Sequence, residues 1–149
     1  VYYRNILRRH TYRSEFDLTG VSKLPRVDVI MVYQGASGDL IESVVDAGSH
    51  GIVLAAAGAG ATSGTQRLAM AYAHERGIFT VISTRTGSGR VMPRRAPTTD
   101  QEMSENQQLS AAYRIAAQDI APLKARILLM LALTKTNDVS EIRRMFAEY

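Results

Sequence analysis

In the stretch GIVLAAAGAGATSG, glycines at positions 58, 60 and 64 follow an apolar run and precede TQRLAMAYAHERG, which has helical character. Strand, glycine loop, helix is the order in which phosphate sites are commonly built: glycine lets backbone N–H groups approach a ligand, and a helix N-terminus favours negative charge. Thr62 and Ser63 add hydroxyls beside Gly60 and Ala61. The residues alone leave three readings open: a nucleotide cradle, a substrate-contacting loop, or a tight turn packing a helix on a strand. As a dinucleotide fingerprint the spacing is G-x-G-x-x-x-G, one residue longer than the common form. The next strand ends in Ser83, Thr84 and Arg85, not in the acidic residue that holds ribose hydroxyls. Arg85 suits a 2′-phosphate, which keeps an NADP-type nucleotide-binding domain among the alternatives. Gly64 is followed by Thr65 and Gln66, so the P-loop lysine is missing and NTP hydrolysis is disfavoured.

Other catalytic groups are sparse. His10, His50 and His74 show no metal-ligand spacing, and His74, beside Glu75 on a helix, is expected to be solvated. No G-x-S-x-G elbow occurs, and Asp100 and Glu102 lie in a long polar loop without a base partner. The absence of cysteine excludes disulfides, thiolate catalysis and cysteine-ligated metal, and neither a metal nor a cofactor is expected. A formal charge of +4 gathers in Arg8–Arg13, at Arg94 and Arg95, and at Arg143 and Arg144. These clusters are far apart and lack interleaved aromatics, so nucleic acid is not an expected partner. No apolar run approaches the ~18 residues of a bilayer span, so no membrane association is expected.

The elements that must position these groups follow from periodicity. Residues 1–18 alternate polar and apolar side chains in TYRSEFDL, which predicts an N-terminal extended hairpin or a pair of edge strands. An apolar run, Val27–Tyr33, reads as a strand buried on both faces. Leu40, Ile41, Val44 and Val45 form one face of a helix capped by Ser37 or Asp39 and ended by Gly48. The cycle repeats with GIVLAAA, a helix closing at Gly77, and a strand over 78–84. Strands alternating with helices predict an α/β fold, a parallel doubly wound sheet with flanking helices. LSAAYRIAAQDIAP is ambiguous between helix and strand. Pro122 opens an apolar helix, PLKARILLMLALTKT, and DVSEIRRMFAEY is another, with Asp138 or Ser140 as N-cap.

Several phrases, taken in order, resemble the smaller C-terminal domain of the bacterial-type L-asparaginases: VYYRN, SEFDL, LPRVDVIMVYQG, GIVLAAAGAG, ISTRTGSG, KARILLMLALTKTND and IRRMFAEY. The resemblance covers nearly all of residues 1–149 and implies one such Rossmann- or flavodoxin-like domain. It also implies that the nucleophilic threonine and its Thr–Asp–Lys machinery belong to a larger N-terminal domain with no counterpart here. The isolated chain is therefore expected to be inactive, a domain apart from its enzyme, and a start without Met agrees with that. The implied partners are that domain, further copies in a homo-oligomer (a tetramer in the intact enzyme), and L-asparagine or a similar small amide such as glutamine.

In the family, the glycine loop reaches a neighbouring subunit's active site, where an Asn or Ser after the second glycine binds substrate. A Glu in the loop after the third strand holds the α-amino group. This chain has Ala61 and Ala96 at those positions. Gly60, Ala61, Thr62 and Ser63, with Asp100 and Glu102, are thus the candidate substrate contacts in trans. A non-catalytic binding module on the same scaffold is the competing reading. Family members occur in bacterial cytoplasm or periplasm, and SEFDL with the closing helix looks more like the exported type.

Overall fold

The computed structural model describes residues 11–93 and 104–149. Within them four parallel strands lie side by side in chain order: β1 (Val27–Met31), β2 (Gly51–Ala56), β3 (Phe79–Thr84) and β4 (Arg114–Ala116). Pairing starts at Val27 opposite Gly51, Gly51 opposite Phe79 and Thr80 opposite Arg114. The connections carry helices α1 (Asp39–Asp46), α2 (Gln66–Glu75) and α3 (Glu105–Tyr113), and α4 (Pro122–Leu133) and α5 (Val139–Glu148) follow the last strand.

Side-chain alternation along the strands feeds two cores. Val27, Val53, Phe79, Val81 and Ile115 pack on Leu128, Leu129, Ala132, Ile142, Met145 and Phe146 of α4 and α5. Ile30, Ile52, Leu54 and Ile82 pack on Ile41 and Val45 of α1 and on Ala69, Met70 and Ala73 of α2. Every residue of β2 and β3 is buried, as in strands covered on both faces, whereas β1, expected to be buried on both faces, is an edge strand with Met31 exposed. Leu54 is fully buried in the inner strand β2. Leu54→Ala is expected to destabilise the fold by about 3 kcal/mol through lost burial plus a residual cavity, read as a lower urea midpoint at unchanged m-value.

The helix ends follow their sequence signals. Gly48 and Gly77 take left-handed φ of 81° and 73°. Ser49 N–H bonds Val44 O and Gly48 N–H bonds Val45 O, while Ile78 N–H bonds Ala73 O and Gly77 N–H bonds His74 O, so both helices end in Schellman motifs. Pro122 stands in the first turn of α4, and the Asp138 carboxylate caps α5 by accepting from Ser140 N–H. The α1 cap differs from expectation: Gly38 occupies the N-cap, with no side-chain cap bond. Its N–H donates to Thr65 Oγ1 at 2.9 Å, and a Cβ there would lie 2.7 Å from Ala69 Cβ and 2.9 Å from Thr65 O. Close approach of α1 to α2 requires glycine at this point, and Ser37 and Asp39 bond each other instead.

Two further expectations change, and one ambiguity resolves. Residues 11–26 contain no strand: Ser14 N–H bonds Thr11 O, Thr19 N–H bonds the Asp17 carboxylate and Val21 N–H bonds Leu18 O, so local turns stand where TYRSEFDL was expected to be extended. Residues 1–10 of that hairpin lie outside the described residues. The sheet is not doubly wound, because its order runs β1-β2-β3-β4 without reversal and α4 and α5 cover the second face after the last strand. Finally, LSAAYRIAAQDIAP is both helix and strand, since α3 passes directly into β4 at Arg114.

Candidate functional site

The carboxyl ends of β1, β2 and β3 form one edge, and the loops leaving them are laced together. Arg85, just past β3, donates its backbone N–H to Ala56 O at 2.9 Å and its Nε–H to Val32 O at 2.8 Å, bridging the three strand ends. Ser63 Oγ accepts from Gly35 N–H at 3.0 Å, and Thr65 Oγ1 accepts from Gly38 N–H. Two hydroxyls near the start of α2 thus hold the connection from β1 to α1.

The glycine loop itself is a tight turn. Gly60 N–H and Ala61 N–H both bond Ala57 O, at 3.1 and 2.9 Å, and Ala57 N–H reaches back to Ala61 O. Gly60 has φ 98°, a left-handed value that L-residues rarely adopt. A Cβ there would lie 3.0 Å from both Ile82 Cγ2 and Val91 Cγ1. The loop therefore rests on β3 and on the segment after it.

Gln66 supports the loop from beneath. It is fully buried, and its Oε1 accepts from Ser63 N–H at 3.1 Å, closing the S-G-T-Q turn that leads into α2. A Gln three residues after Ser63 is the only trace of this contact in the sequence, and its burial comes from the tertiary structure.

The candidate contacts now separate. Ser63 is committed through both its N–H and its hydroxyl. Ala61 is exposed, and Thr62 is half-buried with no hydrogen-bond partner for its hydroxyl among the described residues. Gly60, Ala61 and Thr62 come together at the strand edge. Asp100, Glu102 and Ala96 lie outside the described residues, as do Arg94 and Arg95.

The nucleotide alternative loses its footing here. A sheet wound in one direction has no strand-order reversal, and that reversal is where open α/β sheets place dinucleotides. The terminal basic pair is also occupied. Arg144 bonds Glu15 at 2.6 Å, Glu148 at 2.7 Å and Glu141 at 3.0 Å, and the Glu15 and Glu141 carboxylates hold its guanidinium firmly protonated. Arg143 donates to Arg114 O.

His74 is not solvated. It is 3% exposed, its Nε2 lies 2.7 Å from Thr80 Oγ1, and its ring stacks on Tyr113 with centroids 6.0 Å apart. Position i+4 from Met70 turns it inward to the sheet, which adjacency to Glu75 did not reveal. Burial, with Arg114 nearby, pushes its pKa down to about 4, so it is neutral at pH 7. No helix among the described residues is long and apolar enough to cross a membrane.

Comparison with known proteins accounts for this arrangement. Residues 26–146 match the model of the glutaminase/asparaginase C-terminal domain. L-asparaginase 2 of Bacillus subtilis is 39% identical over all of this chain, which spans 37% of that relative's length. Glutaminase-asparaginase of Pseudomonas fluorescens is 32% identical over 99% of the chain and 38% of its own length. A solved structure of a probable cytoplasmic L-asparaginase from Campylobacter jejuni superposes over 100% of this chain and 45% of its own, at TM-score 0.80 and 33% identity. A relative in Haemophilus influenzae is described as a probable periplasmic L-asparaginase. With the fold, the loop order and most of its length matched, the chain belongs to the glutaminase/asparaginase C-terminal domain family.

Proposed function

We propose that this chain shapes the substrate end of an amidohydrolase pocket that cleaves L-asparagine, or L-glutamine, to the acid and ammonia. The carrying observation is the glycine loop held at the strand edge, with Ala61 exposed and the Thr62 hydroxyl without a partner among the described residues. The nucleophile is a threonine of the preceding domain: it attacks the side-chain amide, ammonia leaves, and water releases the acyl group. Backbone N–H groups stabilise the oxyanion. In a homo-oligomer, with four copies in the intact enzyme, the loop acts on a neighbouring subunit's pocket. Asp100 or Glu102 supplies the carboxylate for the substrate's ammonium group in place of Ala96. The periplasm is the compartment that the SEFDL and closing-helix phrases support.

Ala61 cannot hydrogen-bond through its side chain, so the polar contact expected after the second loop glycine passes to Thr62 rather than to Ser63. Thr62→Ala is expected to raise KM for asparagine about tenfold with little change in kcat, the effect of one lost substrate hydrogen bond. Ser63→Ala is expected instead to lower stability by about 1 kcal/mol, by leaving Gly35 N–H without its acceptor. Ammonia release by the longer polypeptide carrying this chain, with the 149-residue chain as an inactive control, is the test. No release from the longer polypeptide would overturn the amidase reading in favour of a binding module.

A further inference from the structure

Gln118 lies two residues past β4, outside every loop considered above. Its backbone has φ 59°, the one non-glycine residue with positive φ among the described residues. Such a conformation persists in a residue with a long side chain when the surroundings over-determine it. Glycine would take this φ without strain, so what glutamine adds here is its side chain.

That side chain is 5% exposed and works as a clamp. Its Nε2 donates to Phe146 O of α5 at 3.3 Å, and its Oε1 accepts from Arg90 Nη2. Its backbone O accepts from Val91 N–H at 2.9 Å. One residue thus grips two consecutive residues of the loop after β3 and ties them to α5. Gly87 and Gly89 of that loop have positive φ and are exposed, and its own hydrogen bonds, among Thr84, Thr86 and Ser88, lie before Arg90. Val91, 2% exposed, then supports Gly60 at the close approach described above.

We propose that Gln118 is a positioning residue for the glycine loop. It fixes Arg90 and Val91 as a wall behind Gly60 and so sets where Ala61, Thr62 and Ser63 stand. Its effect on turnover rests on the amidase reading above, whereas its effect on the loop does not.

The test uses the longer polypeptide with Gln118→Gly, Arg90→Ala, the double variant, and Gln118→Glu, which keeps an acceptor for Arg90. Amide hydrogen exchange is read at Gly60, Ala61 and Val91. Gln118→Gly and Arg90→Ala are each expected to accelerate exchange there about tenfold, the scale of losing a hydrogen bond to a charged group, with the β2 amides unchanged. The double variant is expected to be no faster than Gln118→Gly, because the Arg90–Gln118 bond is already lost in that single, and Gln118→Glu is expected to keep protection. For asparagine, KM should rise about tenfold in Gln118→Gly with kcat within about twofold.

Unchanged exchange at Gly60 and Ala61, or additive effects, would overturn the proposal. So would faster exchange with unchanged KM, which would confine Gln118 to holding its own loop. If the unsubstituted polypeptide releases no ammonia, the amidase reading fails while the exchange data still decide for or against Gln118.

Discussion

Gly60→Ala is expected to destabilise the protein by about 3 kcal/mol and to displace the loop that carries Ala61 and Thr62. Two contributions add. A Cβ at left-handed φ costs roughly 1–2 kcal/mol, and forcing it into a filled space costs roughly 1–3 more. The space is filled by Ile82 Cγ2 and Val91 Cγ1, both 3.0 Å away. Both belong to β-branched side chains, which are stiff about χ1 and cannot swing aside cheaply. Gly58 is the internal control. It also has positive φ, 50°, but a Cβ there meets nothing within 4 Å. Gly58→Ala should therefore show the backbone cost alone, about 1–2 kcal/mol. Urea denaturation of the two variants separates the contributions, and equal midpoints would show that Val91 and Ile82 do not hold the loop. In the longer polypeptide, Gly60→Ala should raise KM for asparagine by tenfold or more, because ångström-scale misplacement is costly in a substrate site.

The second large effect is a pH dependence centred on His74. Its folded pKa, about 4, lies below the ordinary 6.5 because burial disfavours the imidazolium. Between these values the unfolded chain binds more protons than the folded one, so stability rises with pH across the window. The contribution is fully present above pH 6.5 and is lost as pH falls towards 4. From pH 7 to pH 5 the expected loss is about 2 kcal/mol. His74→Gln can keep a partner for Thr80 while removing the titration, so its stability should be nearly flat over that range. Asp17 and Asp138 are separable from this effect. Bonds to Thr19 and to Ser140 hold their carboxyls below the ordinary aspartate range, so their contributions are lost at lower pH. If native protein and His74→Gln lose stability in parallel between pH 7 and pH 5, His74 is not buried neutral.

Strand and helix identities were legible because their causes are local. Val27–Met31 and Phe79–Thr84 are rich in β-branched residues, and Gly48, Gly77, Pro122 and Asp138 mark helix ends through their own backbone or side-chain chemistry. Where causes compete locally the sequence was ambiguous, as in LSAAYRIAAQDIAP. Its helix-to-strand switch at Arg114 depends on pairing with Thr80, which lies 34 positions earlier in the chain. The N-terminal alternation misled because residues 11–26 satisfy their backbone through Thr11, Ser14 and Asp17 rather than through a partner strand.

Of the candidate site, the glycine loop and its hydroxyls could be named from the residues, but their division of labour could not. Ser63 and Thr62 are equivalent in sequence. They differ because Gly35, 28 residues away, takes the Ser63 hydroxyl. His74 looked solvated beside Glu75, and Gln118 gave no signal, because a buried ring or a left-handed glutamine is defined by what surrounds it.

The sequence by itself determined the α/β class, the parallel strands, the helix ends and the family likeness, since each rests on the order and spacing of residue types. The tertiary structure decided the one-directional winding, the burial of His74, and the support of Gly60 by Val91, Arg90 and Gln118. Those features depend on close approach between residues far apart in the chain, and periodicity carries no information about such contacts.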